Sequence, residues 1–119
     1  MNKQSVILLT GAAGFIGSYL LGYLNQLGYE QIIISDEFSR ADKLPNYSRK
    51  KFLMQVERDE LFEWLKNEKV KIDFIFHLGA RTDTTEFDYR IHEKLNLEYS
   101  KSIWRYCVEM NIPLVYASS

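Results

Sequence analysis

Ser5-Val6-Ile7-Leu8-Leu9-Thr10-Gly11-Ala12-Ala13-Gly14-Phe15-Ile16-Gly17 joins an apolar run to three glycines spaced three apart. Val6 to Leu9 is continuous and β-branched at its start. Beyond the glycines, Ile16, Leu20 and Leu24 recur at helical spacing. The pattern predicts a buried strand, a tight turn and a helix. Gly11 suits a sharp reversal that other residues resist. Gly14 leaves the backbone open to a close-approaching phosphate. Gly17 lets the first helical turn pack on the strand. The first N–H groups of such a helix lack intrahelical acceptors and carry the positive end of its dipole, so they suit a pyrophosphate.

The next apolar run, Ile32-Ile33-Ile34, ends in Asp36, nineteen positions after Gly17. A ribose-binding carboxylate of a dinucleotide site lies about 20 residues on from its glycines. Strand, glycines, helix and carboxylate together predict dinucleotide binding, whereas a glycine turn alone would be an ordinary connection. The G-x-x-G-x-x-G spacing resembles the short-chain dehydrogenase/reductase superfamily. Thr10 with Phe15-Ile16 resembles its extended branch, which modifies nucleotide sugars.

The 119 residues make room for one domain with a modest core. With 46% hydrophobic and 26% charged residues, the chain has an ordinary globular composition. A net charge of −1 leaves no nucleic-acid footprint. The densest basic cluster, Lys43, Arg49, Lys50 and Lys51, reads as a solvated loop. The single cysteine, Cys107, has no internal disulfide partner and sits on an apolar helical stripe, as a buried thiol would. No apolar run reaches the roughly 18 residues of a membrane span, and the start does not read as a signal peptide. A reducing, cytoplasmic setting follows as an expectation.

Taken in order, Phe15 to Leu27 reads as the first helix, with Ile16, Leu20, Leu24 and Leu27 inward and Gly28 as its stop. Gln31 to Ser35 reads as a strand covered on both faces. Phe38 to Lys51 reads as a polar loop, mobile or ordered by ligand. Phe52 to Gln55 is a weak strand. Asp59 to Glu68 is a helix with Leu61, Phe62 and Leu65 inward. Asp73 to Leu78 is a buried strand, and Arg81 to His92 a polar run just past its end. Glu93 to Asn111 is a long helix with Leu95, Tyr99, Ile103, Tyr106, Cys107 and Met110 as its apolar stripe. Leu114 to Ala117 is the last strand.

This alternation predicts an α/β fold: a Rossmann-like doubly wound parallel sheet with right-handed crossovers. The chain stops at Ser118-Ser119, at a strand's carboxyl end with no covering helix. Residues 1–119 therefore read as the N-terminal part of a dinucleotide-binding domain, truncated after that strand, with the remainder of the enzyme absent.

The later motifs extend the resemblance. Phe76-His77-Leu78-Gly79-Ala80 is similar to the superfamily's element after the fourth strand, Asn96 to the asparagine of the helix that follows, and Tyr116-Ala117-Ser118-Ser119 to the strand end that delivers a catalytic serine. Thr84-Thr85-Glu86-Phe87-Asp88, followed by Asn96 to Tyr99, Ser100-Lys101 and Arg105-Tyr106-Cys107, resembles the ADP-heptose 6-epimerase family. That resemblance implies inversion at C6″ of an ADP-linked heptose for lipopolysaccharide inner-core synthesis, by transient oxidation to a ketone and re-reduction. It also implies a tightly held nicotinamide cofactor, a nucleotide-sugar substrate and a closed homo-oligomer of the full-length protein. The carbon is not acidic, so a redox cofactor is needed.

The family's proton-transfer pair, Y-x-x-x-K, lies beyond its serine. The sole match to that spacing here is Tyr47 with Lys51, in the loop around Pro45, which belongs to another element. The chain alone is therefore expected to bind cofactor without turnover. Another nucleotide-sugar epimerase or dehydratase, and a non-catalytic dinucleotide-binding module, remain open.

The resemblance implies Ser119 as the catalytic serine. It implies cofactor contacts at Gly11, Gly14, Phe15, Ile16, Gly17, Asp36, Glu37, Lys43, Leu78, Gly79, Ala80, Arg81, Thr82 and Asn96. No metal site is expected. Asp36 would repel a 2′-phosphate, which favours NAD. The family leans to NADP, with Lys43 beside that phosphate and Arg40 offsetting Glu37; both cofactors stay open. Asn96 is expected to tie the fourth and fifth strand ends together. His77 reads as a packed strand-end histidine rather than a catalytic base.

Overall fold

Ile7–Thr10 forms β1, the strand on which both layers of the molecule are built. The computed structural model describes residues 2–78 and 89–117, and the side chains of all of these but 89–95. Ile32–Asp36 (β2), Met54–Glu57 (β3), Phe74–Leu78 (β4) and Leu114–Ala117 (β5) complete one sheet in the order β3-β2-β1-β4-β5. Every pairing is parallel, with Thr10 beside Ser35 on one side and beside His77 on the other.

Side chains alternate across a strand, so the apolar runs divide between two cores. Ile7, Leu9, Ile32 and Ile34 face helix α1 (Phe15–Gln26), where Leu21 and Leu24 meet them. Leu8, Ile33 and Ile75 face the other way, onto α3 (Leu61–Glu68) and α4 (Tyr89–Met110) through Leu61, Leu65, Ile103 and Cys107. The chain thus winds outward from β1 in both directions. The order reverses between β1 and β4, where open α/β sheets place a ligand crevice at the strands' carboxyl ends.

Some expectations are corrected. Ile16 and Leu27 do not face inward along α1: both are exposed, whereas Leu24 is buried as expected, Leu20 packs partly against the core, and Gly17, Ser18 and Leu21 are buried as well. The cause is Gly17, where a Cβ would stand 2.0 Å from the Gly11 carbonyl oxygen. The helix therefore turns that position onto the loop, and residues four and seven further on follow it inward. Gly28 does end the helix, at φ +97°, with the Tyr29 and Gly28 N–H groups donating to the Leu24 and Asn25 carbonyls in a Schellman motif.

The polar stretch after β2 is not an open loop. Ala41–Lys43 is a 3-10 turn and Leu44–Tyr47 a short helix, α2, with Pro45 in its first turn, where its missing N–H costs nothing. Tyr47 is buried against the α1 core with its ring edge-on to Phe38 at 5.2 Å. Helix α4 begins at Tyr89, four residues before the expected Glu93, so Tyr89 to His92 are helical rather than irregular. Met110 is exposed and not on the buried stripe.

Candidate functional site

A shallow crevice opens over the ends of β1, β2 and β4. Thr10, Gly11, Ser35, Asp36, Arg58, His77, Leu78, Asn96, Tyr99 and Ser100 line it. Gly11 turns the chain out of β1 at φ +71°, and its N–H donates to the Ser35 carbonyl at 2.9 Å. A Cβ on Gly11 would also meet the Leu78 carbonyl oxygen at 2.9 Å, so the turn is closed against β4.

The start of α1 presents uncapped backbone donors. Gly14 is the N-cap, in extended conformation, and has no side chain to cap with. The N–H groups of Phe15, Ile16 and Gly17 are those that helix geometry leaves without an intrahelical acceptor. No acidic residue stands in that turn to neutralise the dipole. Phe15 is 87% exposed and Ile16 64%, so their contribution at this end is backbone. The two glycines differ in kind. Gly17 is required by the protein's own packing. A Cβ on Gly14 would touch only the Gly11 carbonyl oxygen, at an ordinary 3.5 Å. Nothing else among the described residues approaches that position, and a diphosphate at a helix N-terminus needs such room.

Asp36 lies where the spacing predicted, at the end of β2 and at the crevice wall. Its Oδ2 accepts from the Ala13 N–H at 2.9 Å and its Oδ1 from the Glu37 N–H at 2.6 Å. The carboxylate is thus held against the glycine loop with lone pairs to spare for a ribose hydroxyl.

Beneath the crevice lies a polar floor on the α3–α4 face of the sheet. His77, 3% exposed, links the Thr10 hydroxyl to its Nδ1 (2.5 Å) and the Ser100 hydroxyl to its Nε2 (2.9 Å). Burial, reinforced by the Arg58 charge, drives its pKa down to about 4. The imidazole is neutral at pH 7 and packed, as expected. Arg58 stacks on the Tyr99 ring at 4.8 Å and donates to Asn96 Oδ1 at 2.6 Å. The Tyr99 hydroxyl donates to the Arg58 carbonyl at 3.1 Å, and burial pushes its pKa up to about 12. The buried Ser35 hydroxyl, at the crevice wall, has no hydrogen-bond partner among the described residues.

Of the expected contacts, Gly11, Asp36, Leu78 and Asn96 line the crevice, while Gly14, Phe15, Ile16 and Gly17 do not and stand at the start of α1, joined to it by the loop that begins at Gly11. Glu37 and Lys43 are not among the crevice-lining residues. Glu37 is exposed and accepts from the Ser39 hydroxyl at 2.8 Å, while Lys43 sits half-buried in the 3-10 turn. The described bond of Asn96 runs to Arg58, just past β3. Gly79, Ala80, Arg81, Thr82 and Ser119 lie outside the described residues. Tyr47 is buried, which raises its pKa, and it belongs to the α1 core, so its spacing to Lys51 makes no proton-transfer pair. No metal-ligating cluster occurs among the described residues. No described helix is long and apolar enough to cross a membrane. Ser35, Arg58, Tyr99 and Ser100 also line the crevice, beyond the residues the sequence predicts. Their signal is positional: strand ends and the residue just after β3, met by one turn of α4.

The sequence profile of the NAD dependent epimerase/dehydratase family matches residues 7–119. An ADP-L-glycero-D-manno-heptose-6-epimerase of Brachyspira hyodysenteriae is 40% identical over 119 residues, covering 96% of this chain and 37% of that protein. The enzyme of that name from Fusobacterium nucleatum is 37% identical over 116 residues, covering 96% of this chain and 35% of its own length. Among solved structures, Helicobacter pylori ADP-L-glycero-D-manno-heptose-6-epimerase superposes with a TM-score of 0.74 at 25% identity, over 98% of this chain and 40% of that one. L-threonine dehydrogenase of Clostridium difficile shares the fold, at a TM-score of 0.70 and 24% identity. The chain spans little more than a third of the length of the curated relatives it matches.

Proposed function

This chain belongs to the NAD dependent epimerase/dehydratase family, and on that premise we propose that it is the cofactor-binding N-terminal part of an ADP-heptose 6-epimerase. In this reading residues 1–119 carry the adenylate and diphosphate half of a Rossmann domain. The parent enzyme converts ADP-D-glycero-D-manno-heptose to ADP-L-glycero-D-manno-heptose in the cytoplasm, for lipopolysaccharide inner-core synthesis, as a homo-oligomer. One observation carries the reading. The 37–40% identity to enzymes of that name runs across 96% of the chain, and so includes the whole glycine loop, Asp36 and the crevice.

A bound nicotinamide dinucleotide would supply reversible acceptance and return of a hydride. The chain's own part is to hold and exclude. The first turn of α1 takes the diphosphate, Asp36 the adenosine ribose, and Leu78 with Gly79, Ala80, Arg81 and Thr82 the farther ribose and diphosphate. Asn96 and the neutral floor of His77 close the crevice from below. Lys43 lies toward the ribose 2′ position and leans the cofactor to NADP over NAD, with Arg40 offsetting the Glu37 carboxylate. Ser119 is assigned to the oxygen of the carbon being oxidised.

A non-catalytic dinucleotide-binding module would use the same glycine loop and Asp36 crevice. The test is to read the gene beyond Ser119 and to incubate its complete product with ADP-D-glycero-D-manno-heptose, following the C6″ configuration by NMR. A downstream Y-x-x-x-K with inversion at C6″ is expected. Inversion elsewhere on the sugar sinks the substrate assignment. A stop codon directly after Ser119 supports the module.

A further inference from the structure

Ala13 is held between two side chains that come from outside the glycine motif. Its N–H donates to Asp36 Oδ2 and its carbonyl accepts from Asn46 Nδ2, both at 2.9 Å. The two contacts act on different peptide planes. Asp36 fixes the plane between Ala12 and Ala13. Asn46 fixes the plane between Ala13 and Gly14, whose other end, the Gly14 N–H, donates to the Gly11 carbonyl at 3.2 Å. A trans peptide is rigid, so rotating the Ala13 carbonyl would also rotate the Gly14 N–H. The direction in which α1 leaves the loop would change with it.

Asn46 is itself firmly placed. It lies in α2, between Pro45 and the buried Tyr47. Further along, Lys50 Nζ donates to the Ser18 carbonyl at 2.5 Å. The Asn25 amide then bonds both ways with the Lys51 backbone, at 2.9 and 2.8 Å. The segment from Asn46 to Lys51 is thus fastened along α1 at two heights and to the glycine loop at a third point, where Asn46 is the contact.

We propose that Asn46 is a positioning residue for the diphosphate cradle, acting through the Ala13–Gly14 peptide and not by touching the ligand. This rests on the reading that an adenine dinucleotide binds here. Asn46→Ala and Asn46→Asp are compared with the unaltered protein, each as the complete gene product, by titration with NADP and NAD, by thermal melting, and by amide NMR of the ligand-free protein. Affinity for both dinucleotides is expected to fall about fivefold, the scale of one net hydrogen bond. The melting midpoint should hold within a few degrees, and the Gly14 and Phe15 amide signals should move before any ligand is added. Asn46→Asp keeps the shape without the donor but adds a charge near the diphosphate, so should Asn46→Ala fail to fold it is read by the Gly14 and Phe15 amide signals of the ligand-free protein. Unchanged affinity, unmoved Gly14 and Phe15 signals, or a loss that only tracks a fall in melting temperature overturns the proposal. If the unaltered protein binds neither dinucleotide, the reading of the site fails, and the amide signals still decide whether Asn46 orients the loop.

Discussion

Thr10 Oγ1 and His77 Nδ1 lie 2.5 Å apart, joining the carboxyl ends of β1 and β4 where the strand order reverses. The same imidazole reaches α4 through Ser100. One buried neutral ring therefore ties two strands and a helix under the crevice.

That ring makes stability depend on pH. In the fold His77 titrates at about 4, and unfolded it titrates at 6.5. Between those values the unfolded chain binds the extra proton, so stability rises with pH and is lost as pH falls from 6.5 toward 4. The contribution at stake is up to about 3 kcal/mol. Denaturant melts across that window should show the slope, and His77→Gln should flatten it. An equal slope in the variant would assign the effect to other groups.

The glycines of the loop should separate packing from binding. Gly17→Ala places a methyl 2.0 Å from the Gly11 carbonyl oxygen and is expected to cost more than about 3 kcal/mol. Gly14→Ala meets nothing closer than 3.5 Å at φ −74°, a conformation alanine adopts. Its stability should stay within about 1 kcal/mol, while dinucleotide affinity drops at least about tenfold as the methyl fills the diphosphate's place. Thermal melts beside cofactor titrations read the contrast.

Asp36→Asn keeps an acceptor for the Ala13 N–H but removes the charge at the ribose. The preference for NADP over NAD should move about tenfold toward NADP, the scale of one relieved like-charge contact. Competitive titration measures it. An unmoved ratio would take Asp36 away from the 2′ position.

Cys107 is buried in the α3–α4 core, and burial pushes its thiol pKa up. Disulfide-exchange reagents should label it only at the rate of unfolding at pH 7, and at once in denaturant. Fast labelling of the native chain would mean that α4 opens on its own.

What could be read beforehand divides by how local its cause is. β1, the turn and α1 follow from periodicity and glycine chemistry within a dozen residues, and Asp36 from a fixed distance. The rotation of α1 did not follow, because it depends on Gly17 meeting Gly11 and not on where the large apolar residues fall. α2 was hidden because Tyr47 is its only buried residue and Pro45 reads as a loop former. The crevice floor was the least legible part. Ser35, Arg58, His77 and Tyr99 come from four separate elements or their edges, and they meet only once the parallel register aligns the strand ends.

The central strand also sets the pace at which this chain acquires its shape. β1 takes one neighbour early, from Ile32 onward, but Thr10 must wait for His77, 67 residues later, to complete the other side. During synthesis that flank stays open until the tail of β4 has cleared the ribosome. Such distant pairing is slow to find, and the half-built sheet is the stage at which chaperones or sticking neighbours have their opportunity.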